Sequence, residues 1–554
     1  MSQSFLTLPY RWVERIIVLR EKQPYSFHTV FAFAAFVGLM RLLLEFMVCS
    51  SGLYASFAGY LSYVTFYLMN AFLYTLAVHF IMGDRVPWRL SMNVVLIGVF
   101  VGMFPPLIDA FALGPFNFRY AYNFRWLEGW TWWLYNPEAH ITPGEATILW
   151  FTVLLLPLYV WIKTRSIGRA LVGLVAGYAV VFFYVTVVAS SAHALLRAAF
   201  VPMLRATEIP MTRHLEEAWR ASSDPTEIHG IAQRLSLLRF RYDELAIALT
   251  SGLQVLVSVV CYGILNRRLT RHLLTRVGHS LPFALLTLLG AAATRHFHPE
   301  IDTGTWIGLV PAAFMGLVVL QCFNVAIVQN DHFDRHDDRR GPLPYLDVQD
   351  MHFYNGTLWL LIFSIVTVRP RVGALLVVFQ IVSILYNYDF YKAKRFFPAN
   401  YKIEAIWGWT SFMAGVYTVL HPRMMAPLPV LVISFLIFGG WSLFNCFKDY
   451  KDIREDYRAG IQTAYVLLKR RNASLRKFHG AMRLCMAAGF LIPLFALYRW
   501  GAPLTAVAPA GVLSVSAILY TLGLGPRKVT VEATLVVISL YLISLIGFFE
   551  MGLS

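Results

Sequence analysis

Hydrophobic runs long enough to cross a lipid bilayer recur along almost the whole chain, for example Val30 to Cys49, Ile307 to Val328 and Val430 to Phe447. Lipid offers the backbone no hydrogen-bond partner, so each such run must satisfy its own amides, which a helix does. The sequence therefore predicts an all-α, polytopic membrane protein. With 58% hydrophobic and 14% charged residues, the 554-residue chain has little polar surface to turn towards water, which excludes a soluble assembly.

The hydrophobic pattern predicts about six helices before residue 267 and about nine after it. The first set falls near 28–49, 60–83, 91–113, 147–163, 167–199 and 245–265. The second falls near 279–295, 305–328, 356–369, 372–388, 403–421, 427–447, 481–498, 504–523 and 531–549. Between them NRRLTRHLLTRVG is short and basic and reads as a linker, giving an N-terminal module, 1–266, and a C-terminal module, 267–554. The first 28 residues carry Glu14 and Glu21 and no signal-peptide pattern, so the first membrane helix is expected near His28.

A formal charge of +16 invites a nucleic-acid reading, but the cations cluster in loops between apolar runs, where they set orientation and meet lipid headgroups. No nucleic-acid partner is expected. Loops 329–355, 389–402 and 448–479 of the second module carry about 16 Lys and Arg against about 6 on the alternate connections, which places those three loops in the cytoplasm. The scattered cysteines, Cys49, Cys261, Cys322, Cys446 and Cys485, show no metal-ligand spacing and read as core residues. An aromatic segment, FNFRYAYNFRWLEGWTWWLYNPEAH, fits an interfacial belt, and 202–244 fits a surface helix pair.

Two acidic constellations stand at helix ends in those loops. Asn330, Asp334 and Asp338 are spaced i, i+4, i+8, and Asp449, Asp452 and Asp456 are spaced i, i+3, i+7, each set on one face of a continuing helix. Lys448 and Lys451 flank the second set as candidate substrate-binding cations. Acids at the end of a membrane helix are costly to desolvate and mark ion or substrate sites. Oxygen donors without His or Cys favour Mg²⁺, which completes its shell with water and substrate phosphates. The competing reading, solvated charges that keep loops out of the membrane, accounts for one such motif better than for two of matching parity. Glu45 and Asp109 of the N-terminal module look isolated, which argues against a second metal centre there.

These residues resemble the UbiA superfamily of intramembrane prenyltransferases, whose motifs read NDxxDxxxD and DxxDxxxD followed by Gly. Here they read Asn330-Asp331-His332-Phe333-Asp334-Arg335-His336-Asp337-Asp338 and Asp449-Tyr450-Lys451-Asp452-Ile453-Arg454-Glu455-Asp456, with Gly460 beyond. Tyr386 and the pair Lys394-Arg395 match a further family feature. The resemblance covers about the C-terminal half and implies a nine-helix bundle, with the preceding six or so helices outside it. It implies Mg²⁺ held by Asn330, Asp334, Asp338, Asp449, Asp452 and Asp456, a polyprenyl diphosphate donor bound with help from Asn330 and Tyr386, and leaving-group cations Lys394 and Arg395. The acceptor would be a hydrophobic aromatic or lipid molecule, and the setting a cell inner membrane. The family's usual Arg-Pro-Leu-Pro-Ser-Gly continuation is replaced by Arg340-Gly341-Pro342-Leu343-Pro344 leading into Tyr345. Terpene cyclisation, phosphoribosyl transfer to a polyprenyl phosphate, and, as a different class, cation or lipid transport are the alternatives. Phe323, Tyr386 and Trp441 are candidate walls for the isoprenoid.

Overall fold

The computed structural model describes residues 2–48, 57–113, 142–188, 247–298, 309–333, 347–388, 393–420, 424–450, 453–499, 511–512, 514–515 and 531–551. Among the described residues every regular element is helical, and ten helices are long and apolar enough to cross a membrane. The aromatic segment 116–140 and the segment 202–244 lie outside the described residues.

The chain forms two compact units. The first takes its described residues from 2–188, 247–270 and 352–368, and the second from 271–351 and 369–551. In the first, α1 is Ser2–Glu21, α2 Phe27–Val48, α3 Phe57–Met82, α4 Trp88–Val101, α5 Pro105–Leu113, α6 Pro143–Thr164, α7 Ile167–Phe182 and α8 Ile247–Leu265. The expected single helix 91–113 is broken: Pro105 and Pro106 lack amide hydrogens, so the chain turns over 102–104 and restarts. The expected helix 167–199 gives way after Phe182 to a π-helical turn, Phe183–Val188, and its remainder lies outside the described residues. Helix α1 was not expected. Its polar face is held by Glu21, which accepts from Tyr159 and pairs with Lys163, both at 2.7 Å, and by a 2.9 Å pair between Glu14 and Arg165.

Helix α12, Val348–Val368, belongs from residue 352 onward to the first unit. Its Phe353 is fully buried against Tyr262, Phe27 and Phe72, with ring centroids 4.0, 5.0 and 5.1 Å away. Tilted and edge-on aromatic pairs of this kind add about 0.5–1.5 kcal/mol each beyond area burial.

The second unit begins in α9, Arg267–Thr275, the segment expected to be a linker, and continues through α10, Val277–Phe297, and α11, Val310–Phe333. Then come α13 Pro370–Asn387, α14 Ala399–Val419, α15 Leu428–Lys448, α16 Ile453–Ala459, α17 Ala464–Arg470, α18 Leu475–Arg499 and α19 Val531–Met551. Helix α10 is its axis and packs on α11, α14, α15 and α19. It meets α14 backbone to backbone: a Cβ at Gly290 would strike the Phe412 carbonyl, and one at Gly415 the Thr287 carbonyl. Small residues allow this approach, which dispersion rewards where hydrophobic driving force is absent. Arg295 pairs with Glu550 at 2.8 Å in the contact of α10 with α19. The expected spans 279–295, 372–388, 403–421, 427–447 and 531–549 agree with helices to within four residues, whereas 356–369 begins eight residues early at Val348, 481–498 six residues early at Leu475, and 305–328 lies at Val310–Phe333; 504–523 falls almost wholly outside the described residues. Cys261, Cys322 and Cys446 are buried as expected, and Cys485 is exposed.

Candidate functional site

The first acidic motif starts in the last turn of α11. Asn330 and Asp331 line a cavity of about 160 Å³ within the second unit, and Asp334 and Asp338 lie outside the described residues. Facing them from α13 and α14 are Tyr386, Asn387, Glu404 and Trp407, while Arg276 and His279 close the side next to α10. Asn387 is fixed by donating to the Ala326 carbonyl at 3.1 Å, and Tyr386 donates to Glu404 Oε1 at 2.8 Å. The floor is aromatic: Trp407 sits edge-on to Phe323 and Tyr386 at 5.5 and 5.3 Å, and Phe323 stacks on Phe283 at 4.3 Å. Of the expected wall residues, Phe323 and Tyr386 line the cavity, whereas Trp441 packs behind it on Phe283 at 4.9 Å.

Asp331 is the most tightly held acid of this rim. His272 Nε2 lies 2.6 Å from its Oδ2 and Arg276 Nη2 3.6 Å from its Oδ1. Both partners come from the basic junction, His272 from α9 and Arg276 from the turn between α9 and α10.

The second motif is built differently from its expectation. The acids do not ride one continuous helix: α15 stops at Lys448, Asp449 is its C-cap, and Asp456 belongs to the separate helix α16. One contact lies at the break and another ends α16. The Tyr401 hydroxyl holds Asp449 by a hydrogen bond and accepts the Ala464 N–H at 2.9 Å, drawing the turn onto α14 and α17. Beyond Asp456, Gly460 takes φ +75° and the Ile461 N–H returns to the Asp456 carbonyl at 2.9 Å, a left-handed helix stop open to glycine. The next residue, Gln462, donates to the Arg395 carbonyl at 2.8 Å, so Arg395 is brought to the second motif. Lys451 and Asp452 lie outside the described residues, as do the side chains of Lys394 and Lys448. Asn330 and Tyr386 thus share one cavity, while Asp449, Asp456 and Arg395 gather along the other motif and do not line it.

An aromatic clamp steadies that second region. His479 stacks on Tyr450 and Phe447 at 3.8 and 5.1 Å, and its Nδ1 lies 2.9 Å from the Tyr465 hydroxyl. Burial, aided by the charge of Arg483, pushes its pKa down to about 4, so the ring stays neutral and accepts from Tyr465.

Sequence reading missed His272, Arg276 and Glu404, and gave Asp331 no role. Glu404, the one acid in helix α14, was a visible signal, but a search for repeated acids passes over it. Among the described residues no three His, Cys, Asp or Glu side chains cluster as a metal site. Asn330, Asp331 and Glu404 bring oxygen donors to the rim, the chemistry that suits Mg²⁺, and His279 lines the cavity beside them.

Residues 342–528 match the UbiA prenyltransferase family model; the match includes Tyr386, Arg395 and the second motif and begins just after the first. No curated protein matches the chain. Two solved structures of a UbiA homolog from Archaeoglobus fulgidus align with half of it. The one bound to DMAPP and Mg²⁺ is 16% identical over 50% of this chain and 96% of that one, with a TM-score of 0.36. The one bound to GPP and Mg²⁺ is 14% identical over 50% and 97%, with a TM-score of 0.37. By the family match, the C-terminal half of the chain is similar to the UbiA prenyltransferases over residues 342–528.

Proposed function

We propose that residues 267–554 form an integral-membrane, Mg²⁺-dependent prenyltransferase that moves a polyprenyl group from its diphosphate to an aromatic or lipid acceptor. The observation that carries this reading is the cavity in which Asn330 and Asp331 face Tyr386 and Glu404 above a floor of Phe323 and Trp407. A polar rim beside an aromatic floor suits a molecule with a charged head and an isoprenoid tail.

In this reading Asn330, Asp334, Asp338, Asp449, Asp452 and Asp456 would hold the metal. Bound Mg²⁺ supplies neutralisation of the charge that develops on the departing diphosphate. Arg395, with Lys394, Lys448 and Lys451, adds cations along the second motif for the same oxygens. Tyr386 is oriented by Glu404 so that its ring edges the cavity. Trp407 and Phe323 exclude water and offer π faces to an allylic cation. Glu404 is the acid placed to receive the proton that an aromatic acceptor gives up. The motif-bearing loops lie in the cytoplasm and the protein in a cell inner membrane.

The test is diphosphate release from geranylgeranyl diphosphate by protein in nanodiscs with a native lipid and metabolite extract. Release that requires Mg²⁺ and disappears in Asp334→Ala and in Asp452→Ala supports the two-motif site, and mass spectrometry of the product identifies the acceptor. Folded protein that releases no diphosphate from any common isoprenoid donor overturns it.

A further inference from the structure

In the first unit, α1, α3, α4 and α6 enclose a cavity of about 440 Å³, within the range of about 300–1,000 Å³ typical of small-molecule sites. It follows α6 from Glu145 to Tyr159, a length of roughly 20 Å at the helical rise. Its walls are apolar, with Ile16, Phe66, Tyr74, Val95 and Leu155 typical, and its charged groups, Arg41 and Glu145, occupy one end beside the Gly102 carbonyl. Protein interiors close-pack, so a long channel of this size among well-packed helices is a feature that the fold maintains. Tyr184, from the π-helical turn, forms part of the wall, and such turns recur at functional sites.

The charged end fixes what the channel accepts. Arg41, only 2% exposed, pairs with Glu45 at 2.6 Å and approaches Glu145 at 3.7 Å. Tyr63 donates to Glu45 at 2.6 Å, and Asp109 accepts the Gly144 N–H at 2.6 Å at the start of α6. Glu45 and Asp109, isolated in the sequence, are both buried partners of this end, Glu45 on Arg41 and Asp109 on the first turn of α6 beside Glu145. Arg41 is already engaged by Glu45 and Glu145, so a second anion brought to that end would be desolvated without a cation of its own. A hydroxyl can donate to Glu145, and a hydroxyl or a carbonyl can accept from Arg41, without adding charge. Access is lateral: the cavity residues Trp12, Phe151 and Leu158 are 67%, 46% and 39% exposed on a face that lipid covers.

We propose that this cavity binds one long-chain amphiphile, isoprenoid or acyl, with an uncharged hydroxyl or carbonyl head at Arg41 and Glu145 and its chain running along α6 towards Tyr159. A purely structural role, in which the ion pairs only clamp α2 to α6, would need the charged cluster but not the apolar channel. The proposal stands apart from the prenyltransferase reading and its site.

The test is photolabelling of the full-length protein in nanodiscs with a diazirine-bearing hexadecanol, mapped by mass spectrometry. Labelled peptides should come from α1, α3, α4 and α6, and excess hexadecanol should suppress them at least tenfold while palmitate of the same chain length leaves them. Geranylgeraniol competing better than hexadecanol would identify an isoprenoid occupant, and the reverse an acyl one. Gly98→Leu, whose Cβ meets Leu155 at an ordinary 3.5 Å and whose side chain fills the channel, should remove the suppressible labelling. Leu155→Trp should do the same, and thermal unfolding of both variants checks that they are folded. Labelling spread evenly over lipid-facing helices, unchanged in both folded variants, would overturn the proposal, as would palmitate competing as well as the alcohol.

Discussion

The two units handle buried charge in opposite ways. In the first, Glu45 and Glu145 engage Arg41 and Asp109 accepts from the start of helix α6, so each acid is held by a partner within the unit and one end of an apolar channel is left beside them. In the second, acids stand where α11 and α15 leave the apolar layer; His272 and Arg276 reach Asp331 from α9 and the turn after it, and the backbone of Arg395, in the turn before α14, is held beside the second motif. A closed cluster offsets part of the desolvation cost that its members would each meet alone. The same residue types, distributed differently, thus suit a neutral head in one place and a metal-bound diphosphate in the other.

Breaking the open cluster should have the largest effect. Asp334→Ala and Asp452→Ala are each expected to lower Mg²⁺-dependent diphosphate release by about a thousandfold, while hexadecanol photolabelling of the first unit is unchanged. Loss of both signals from one variant would erase the distinction between the sites. Phe353→Ala removes a fully buried ring from the aromatic core of the first unit and should cost about 3–5 kcal/mol, read as a lower unfolding temperature in detergent. Glu404→Gln keeps the shape but removes the carboxylate that would take the acceptor's proton and weakens the hydrogen bond to Tyr386; turnover should fall about a hundredfold, with Mg²⁺ dependence retained.

A pH titration sharpens the comparison further. His479 has its pKa lowered to about 4, whereas an unfolded histidine takes up its proton near its ordinary value of about 6.5. The unfolded chain therefore binds more protons between those values, so stability falls as pH drops from about 6.5 towards 4 and is insensitive to His479 above that window. His479→Phe should flatten this part of the unfolding profile. The smallest effect is expected from Lys163→Ala, which breaks a partly exposed pair with Glu21 and should cost at most about 1 kcal/mol, measured as slightly earlier proteolysis of α1.

Much of this arrangement is legible in the residues. Apolar runs locate the described helices of lipid-spanning length, because that length and backbone satisfaction leave few other solutions, but not the shorter α9, α16 and α17. Breaks and amphipathic pieces are less visible. Helix α1, with Glu14, Arg15, Arg20 and Glu21, fails any test for a continuous apolar run, yet packs by one face on α4. The stop between α4 and α5 is written in Pro105-Pro106, but the surrounding residues stay apolar and conceal it. Spacing alone puts Asp449 and Asp456 on one helical face; the actual turn depends on Tyr401, 48 positions earlier, which no local pattern can report. Arg41 and Glu45, by contrast, are an i, i+4 pair that sequence does display, and it passes unnoticed when acids are sought only in repeats. The expected metal ligands Asp334, Asp338 and Asp452 lie outside the described residues, so the six-ligand set stays a proposal.

The placement of α12 bears on how the protein is made. Phe27, Phe72 and Tyr262 are synthesised well before their common neighbour Phe353. At about 5–20 residues per second, the ribosome needs on the order of ten seconds to advance from residue 262 to residue 353. During that interval three large rings of the nascent first unit have no Phe353 to close on, while α9, α10 and α11 of the second unit are already emerging. The core of the N-terminal unit is therefore finished only after assembly of the C-terminal unit has begun, and a nascent chain stalled before residue 353 would present the membrane with an incomplete aromatic core.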